Sequence, residues 1–269
     1  MELALSPVKQ RAVALDLPIT QPEKIKNNQE FRDALVAFKL DAIIVVGYGR
    51  IIPQWMIDLP RMGNINVHAS LLPKYRGAAP IQWAIARGET VTGVTTMRID
   101  AGLDTGDILL QKEMKIGPED TAETIGPPLA AVGADLLVET LRGLEAGSVH
   151  PRKQDDAQAT LAPILKKEDG RMDFGLKTAE ICNRLRGFQP WPGAFTIFRG
   201  KKLNVWKIAV QERAIALGEI VIDDDRMFAG CGNQTSIELL EVQPEGKKRM
   251  AARDFVHGYH PQSGEKLGG

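Results

Sequence analysis

The sequence predicts a layered α/β domain followed by a small β-barrel, and three observations predict it. From Pro22 to about Ser148, helix-like and strand-like runs alternate, the texture of an α/β fold. From about Ala194 onward, short β-rich runs recur between turn residues, which argues for a small barrel. Between them, from His150 to Phe174, the composition turns polar, with Pro151, Pro163 and an Asp169-Gly170 turn, as in a linker laid over the surface. The expected organisation is residues 1–153 as a first domain, 154–172 as a linker and 173–269 as a second domain. A chain of 269 residues can give both a core.

The elements follow in order. A helix is expected over Glu30 to Leu40, an apolar strand over Ala42 to Val46 and a short helix near Gln54 to Leu59. Gly63, Ile65 and Val67 mark a short buried strand, and the Ser/Pro/Gly-rich stretch after it reads as a loop. A helix from about Pro80 to Arg87 turns Ile81, Trp83, Ala84 and Ile85 inward, and strands follow over Thr92 to Ile99 and Ile108 to Leu110. Thr121 to Arg142 carries Ile125, Leu129, Val132 and Leu136 at three- and four-residue steps, an apolar helical stripe. Pro127 and Pro128 interrupt it, so a kink or a start at Pro127 is expected. After a helix over Thr178 to Arg186, strands are expected over 194–198, 203–210, 219–222, 227–229 and 236–242. Trp191 and Trp206 belong in a core, and His257 and His260 in a polar tail.

Charge and composition exclude several classes. Formal net charge is zero, so no global field attracts nucleic acid, and any RNA contact must come from local basic patches. Cys182 and Cys231 lack the spacing of a disulfide framework or a zinc site, so no metal is expected. No apolar run approaches the roughly 20 residues of a membrane span, and the start lacks a signal-peptide pattern. A cytoplasmic protein with no membrane contact is expected.

The candidate chemistry sits on the strand around residue 66. Side chains alternate along a strand, so Asn66 and His68 point the same way, where the strand runs out into a loop. An amide donor beside an imidazole suits stabilisation and protonation of a developing oxyanion. Asp104 lies in a glycine-punctuated loop, Asp100 to Asp107, that can carry a carboxylate back over a neighbouring strand end. There it could orient His68, raise its basicity or take a proton from an attacking amine. Alone, the Asn-x-His pair fits a structural role too, and Gly47-Tyr48-Gly49-Arg50 reads as an ordinary strand-to-helix turn.

The wording around these residues adds a resemblance. Asn-Val-His-Ala-Ser-Leu-Leu-Pro-Lys-Tyr-Arg-Gly-Ala-Ala-Pro-Ile-Gln-Trp from Asn66, Asp-Ala-Gly-Leu-Asp-Thr-Gly-Asp-Ile from Asp100, Phe188-Gln189-Pro190-Trp191-Pro192-Gly193-Ala194 and Gly246-Lys247-Lys248-Arg249-Met250 together resemble the methionyl-tRNA formyltransferase family across nearly the whole chain. The resemblance implies a Rossmann-like formyltransferase domain and an OB-like barrel. It also implies formyl transfer from 10-formyltetrahydrofolate to the α-amine of methionyl initiator tRNA, with Asn66, His68 and Asp104 catalytic. By the same resemblance Ser70, Leu71, Leu72 and Pro73, with Tyr48, Arg50 and Ile51, contact the folate. Basic residues at Lys201 and Lys202, and at Lys247, Lys248 and Arg249, could meet tRNA phosphates. A monomer is expected.

In the family, Ser6-Pro7-Val8-Lys9 follows about forty residues of strand, helix, strand and basic loop. Here Met1-Glu2-Leu3-Ala4-Leu5 precedes it, so the first strand-helix-strand is expected to be missing, and with it the centre of a sheet of order 3-2-1-4-5. A strand over Leu17 to Thr20 would lose its neighbour, Ala42 to Val46 would keep an unpaired edge, and poor solubility is expected. Two alternatives accompany the main reading: another 10-formyltetrahydrofolate-dependent enzyme, acting on a sugar nucleotide, and an inactive remnant.

Overall fold

A computed structural model describes residues 5–268, so the expectation that turns on Met1 to Ala4 lies outside the described residues. The chain divides into one unit of Met1–Ile43 with Arg50–Asn64 and another of Ile44–Gly49 with Ile65–Gly269.

Among the described residues the first unit holds three helices, α1 (Pro7–Ala14), α2 (Gln29–Ala37) and α3 (Gln54–Ile57). Ser6 caps α1 by accepting from the Lys9 amide, with Pro7 in the first turn where its missing N–H is harmless. Asn28 caps α2 by accepting from the Phe31 amide. None of the three buries a residue. The strand expected over Leu17 to Thr20 does not form. Leu17 N–H instead bonds the Ala12 carbonyl and closes the end of α1, and a strand exists only through a paired neighbour.

The sheet of the α/β part has the order β1-β2-β3-β4, with β1 (Ile43–Val45), β2 (Asn64–His68), β3 (Val91–Arg98) and β4 (Ile108–Lys115). β3 runs antiparallel to both β2 and β4, so the sheet of this α/β domain is not all parallel. Residues 99–107 alone connect β3 to β4, and a parallel crossover needs roughly a dozen residues or more. Two helices cover this region, α4 (Pro80–Ala86) and α5 (Ala122–Glu145). Ile125, Leu129 and Leu136 of α5 join Val94 of β3 and Ile85 of α4 in one core, so β3 is buried along nearly its whole length. The α5 helix contains Pro127 and Pro128 but starts before them, because Thr121 and Thr124 cap each other's backbone amides and fix the first turn at Ala122.

The segment between the two parts is not merely laid over the surface. Arg76 pairs with Leu161, Ile108 with Arg152 and Arg171 with Phe195, and Ala162 is wholly buried. Beyond it, α6 (Thr178–Phe188) precedes an antiparallel sheet of β5 (Ala194–Phe198), β6 (Lys201–Gln211), β7 (Ile220–Asp223), β8 (Arg226–Cys231), β9 (Thr235–Pro244) and β10 (Met250–Ala251). The order is β5-β6-β9-β8-β7, with β10 also on β9. Shifts of register in β6 at Val205 to Ile208 let the long strand bend. A closing helix, α7 (Ala252–Tyr259), presses Phe255 and Val256 into the core made by Ile220, Met227, Ile237, Leu239 and Val242. His257 therefore lies on this helix and His260 at its left-handed cap, rather than in a polar tail. Trp191 is 56% exposed, not core; its turn faces outward while Ala194 starts the buried strand.

Candidate active site

β2 delivers the central pair. Asn66 and His68, two residues apart on the strand, both reach Asp104. The Asn66 amide donates to Asp104 Oδ1 at 3.4 Å, a long bond, and His68 Nδ1 stands 3.7 Å from Asp104 Oδ2. The other ring nitrogen, Nε2, is 2.9 Å from the Tyr75 carbonyl. A carbonyl only accepts, so Nε2 carries a proton and Nδ1 is left facing Asp104. His68 is buried, which keeps this geometry away from bulk water.

Asp104 holds a left-handed backbone (φ 51°) in the loop between β3 and β4. The Gly77 amide donates to its Oδ2 at 2.8 Å, the shortest contact to this carboxylate. Gly77 has φ 118°, and a Cβ there would come within 2.6 Å of the Ala162 carbonyl oxygen, so only glycine brings the amide this close. The Asn66 amide makes only its long bond, and His68 Nδ1, an acceptor in this tautomer and a donor once the ring is protonated, has no partner within hydrogen-bond distance among the described residues. That donor set suits an oxygen on which negative charge develops.

The loop from Ser70 to Pro73 leaves β2 directly. Ser70 is wholly buried, its hydroxyl donating to the Lys74 carbonyl at 2.6 Å, and Leu72 packs with Met97 and Ile108. Leu71 and Pro73 are partly exposed, so they and the loop backbone form its available face. Tyr48 is exposed in the same unit. Arg50 and Ile51 belong to the first unit, where Arg50 donates to the Glu23 carbonyl at 2.6 Å and Ile51 is 93% exposed.

The two basic clusters of the second domain, distant in sequence, come together. Leu203 pairs with Pro244, and the Glu245 amide donates to the Lys202 carbonyl at 3.0 Å, which sets the Lys201-Lys202 hairpin beside the turn carrying Lys247 and Lys248. Lys202 also lies over the Phe195 ring, and Arg249 pairs with Glu241 over the Trp206 ring.

Several residues at the site carried no signal in the sequence. The Tyr75 carbonyl and Gly77 amide are backbone groups. The Tyr75 phenol donates to Glu89 at 2.9 Å, and burial together with that carboxylate pushes it well above the ordinary tyrosine range, so it stays neutral. Arg76 is buried and pairs with Asp156 at 2.7 Å. Gln154, from the connecting segment, accepts from Arg76 and donates to the carbonyls of Asp104 and Gly106. Arg76 stood inside the quoted motif and could have been singled out; nothing local marks Gln154.

Comparison with known proteins agrees with the geometry. Residues 8–141 match the formyl transferase family and residues 164–260 the formyl transferase C-terminal domain. The methionyl-tRNA formyltransferase of Koribacter versatilis is 65% identical over 268 residues, covering 100% of this chain and 86% of that protein. That of Acidobacterium capsulatum is 62% identical, covering 96% and 84%. Among solved structures, a sugar 3N-formyl transferase, WlaRD, superposes with a TM-score of 0.65 at 20% identity, covering 90% of this chain and 82% of its own. HypX from Aquifex aeolicus, in complex with tetrahydrofolic acid, gives 0.61 at 19% identity, covering 87% and 42%. At these identities the solved structures speak to the fold: a mixed-sheet formyltransferase domain followed by an antiparallel one.

Proposed function

The chain belongs to the formyltransferase family, and from that premise we propose that it transfers a formyl group from 10-formyltetrahydrofolate to the α-amine of methionyl initiator tRNA. The observation that carries this reading is the convergence of Asn66, His68 and Asp104, with the Asn66 amide and His68 Nδ1 left available, in a chain so similar to methionyl-tRNA formyltransferases. When bound, the folate supplies an activated one-carbon unit and takes back a proton on its nitrogen.

The chain's own residues do the rest. Asn66 holds the formyl oxygen through its amide as charge builds there. His68, fixed by the Tyr75 carbonyl through Nε2, presents Nδ1 as the atom that gains and gives a proton. Asp104 faces Nδ1 and steadies the charged imidazole, and its carboxylate receives the proton that the attacking amine gives up, directly or through water. Leu71, Pro73 and the loop backbone form the folate side, with Tyr48 of the same unit as a further contact. Lys201, Lys202, Lys247, Lys248 and Arg249 form a basic face for tRNA phosphates. No helix among the described residues is long and apolar enough to cross a membrane. On the strength of the family, we infer a monomer working in the cytoplasm.

The test is formyl transfer to methionyl initiator tRNA by the purified chain and its Asn66→Ala and His68→Ala variants. Each variant is expected to lower kcat by about 10²-fold or more, as for lost oxyanion or acid-base help. Near-normal turnover in both would sink the mechanism. A folded chain that ignores aminoacyl-tRNA but formylates a nucleotide-linked amino sugar would replace the substrate.

A further inference from the structure

We propose that Gln154 is a positioning residue for the active site, which makes the connecting segment part of the catalytic frame. The inference rests on the roles given above to Asp104 and His68. It comes from the geometry of one side-chain amide. Gln154 Oε1 accepts from Arg76 Nε at 3.0 Å and from Arg76 Nη2 at 2.8 Å. Gln154 Nε2 donates to the Asp104 carbonyl at 2.8 Å and to the Gly106 carbonyl at 2.7 Å. Both donors and the acceptor oxygen are thus engaged in a planar group that has no freedom to satisfy them otherwise.

These four bonds close a ring around the carboxylate. Arg76 and Gly77 are consecutive, and the Gly77 amide donates to Asp104 Oδ2 at 2.8 Å. Asp104 is gripped by its backbone through Gln154 and by its side chain through Gly77 and Asn66. Arg76 is itself fixed, because its buried guanidinium pairs with Asp156 at 2.7 Å, and its backbone bonds Thr160 and Ala162. The loop after β2 and the loop after β3 are therefore tied to each other through one residue that touches no reacting atom. The distance of Asp104 from His68 Nδ1 follows from that tie, and a positioning error of about 1 Å can cost 10²-fold in rate.

Two isosteric substitutions separate positioning from bulk. Gln154→Glu keeps an acceptor for Arg76 but turns lone pairs toward the Asp104 and Gly106 carbonyls; Gln154→Met keeps the volume and removes all four bonds. In the full chain each is expected to lower kcat for methionyl-tRNA formylation by about 10- to 100-fold, with KM for the tRNA within about two-fold. Lys153→Ala, an exposed neighbour, is expected to leave both constants unchanged. Titration of the His68 ring by NMR, identified by its loss in His68→Ala, gives a readout independent of turnover: its midpoint moves in Gln154→Met. Wild-type kcat with an unmoved His68 midpoint would overturn the proposal. So would a kcat loss that merely tracks loss of folded protein while the His68 midpoint in the folded fraction stays put. If the wild-type chain ignores methionyl-tRNA, the functional reading fails, and the His68 midpoint in Gln154→Met still decides this one.

Discussion

The helices of the first unit and those of the C-terminal domain form a reversed pair of cases. The N-cap side chains of α1 and α2, Ser6 and Asn28, accept from the first turn and those helices bury nothing, while the N-cap side chains of α6 and α7, Lys177 and Ala251, accept nothing and those helices bury Ile181, Leu185, Phe188, Phe255 and Val256. Caps fix where a helix starts and contribute about 1 kcal/mol. Each buried large apolar side chain contributes about 1.5–3 kcal/mol. One helix in each region, α2 and α6, was legible in local sequence, while α1 and α7 were not anticipated; resistance to unfolding belongs to the region with a core. The first unit instead leaves Val8, Val13, Val36, Phe38 and Ile51 exposed, apolar surface of the kind that drives self-association.

The largest expected difference between the regions is in thiol protection. Cys231 is wholly buried, and burial pushes its thiol up to about 11, so at pH 8 it is both shielded and protonated. A cysteine placed in α1 by Val13→Cys meets solvent directly. Its labelling by a thiol reagent is expected to be about 10³-fold faster or more, because Cys231 reacts only through opening of the domain core. Similar rates for the two would abolish the distinction.

Truncation of a side chain tests the same contrast energetically. Phe255, packed edge-on against Phe198 and stacked on Tyr259, is nearly inaccessible. Phe255→Ala is expected to cost about 3–5 kcal/mol in denaturant unfolding. Phe38→Ala, at an exposed ring beyond α2, should stay within about 0.5 kcal/mol. A cost at Phe38 comparable to that at Phe255 would mean that the first unit's apolar residues are covered in solution.

What could be read from the sequence divides along the same physical line. The common direction of Asn66 and His68 was legible because strand alternation is a local rule, while their selection together with Asp104 came from the motif resemblance and not from any local pattern. The five longer strands of the second domain were legible from β-rich runs between turns. The antiparallel sense of β3 was not anticipated, because strand direction depends on pairing between distant segments. Trp191 shows the limit of residue type, since an indole's apolarity does not say which way a turn faces. Tyr75 and Gly77 act through backbone atoms, and Gln154 meets Arg76 and Asp104 only after the chain has folded, so no local pattern could have announced them.

The smallest expected effect concerns acid. Glu238 on β9 accepts from Arg226 on β8 at 2.9 and 2.6 Å, and that hydrogen-bonded guanidinium, with Gln211 adding a weaker donor, holds its carboxyl below the usual glutamate range. A carboxyl depressed in the folded state contributes stability that is present above its unfolded value, near 4.3, and is lost as pH falls through the folded one. The C-terminal domain should therefore lose stability from about pH 5 downward, and Glu238→Gln should flatten that slope while lowering Tm at pH 7. Because Arg226 is half-exposed, the change at neutral pH should be well below that of Phe255→Ala. Thermal melts of both variants from pH 7 to pH 3 measure it. An unchanged acid slope in Glu238→Gln would assign the acid sensitivity of this domain to other carboxylates.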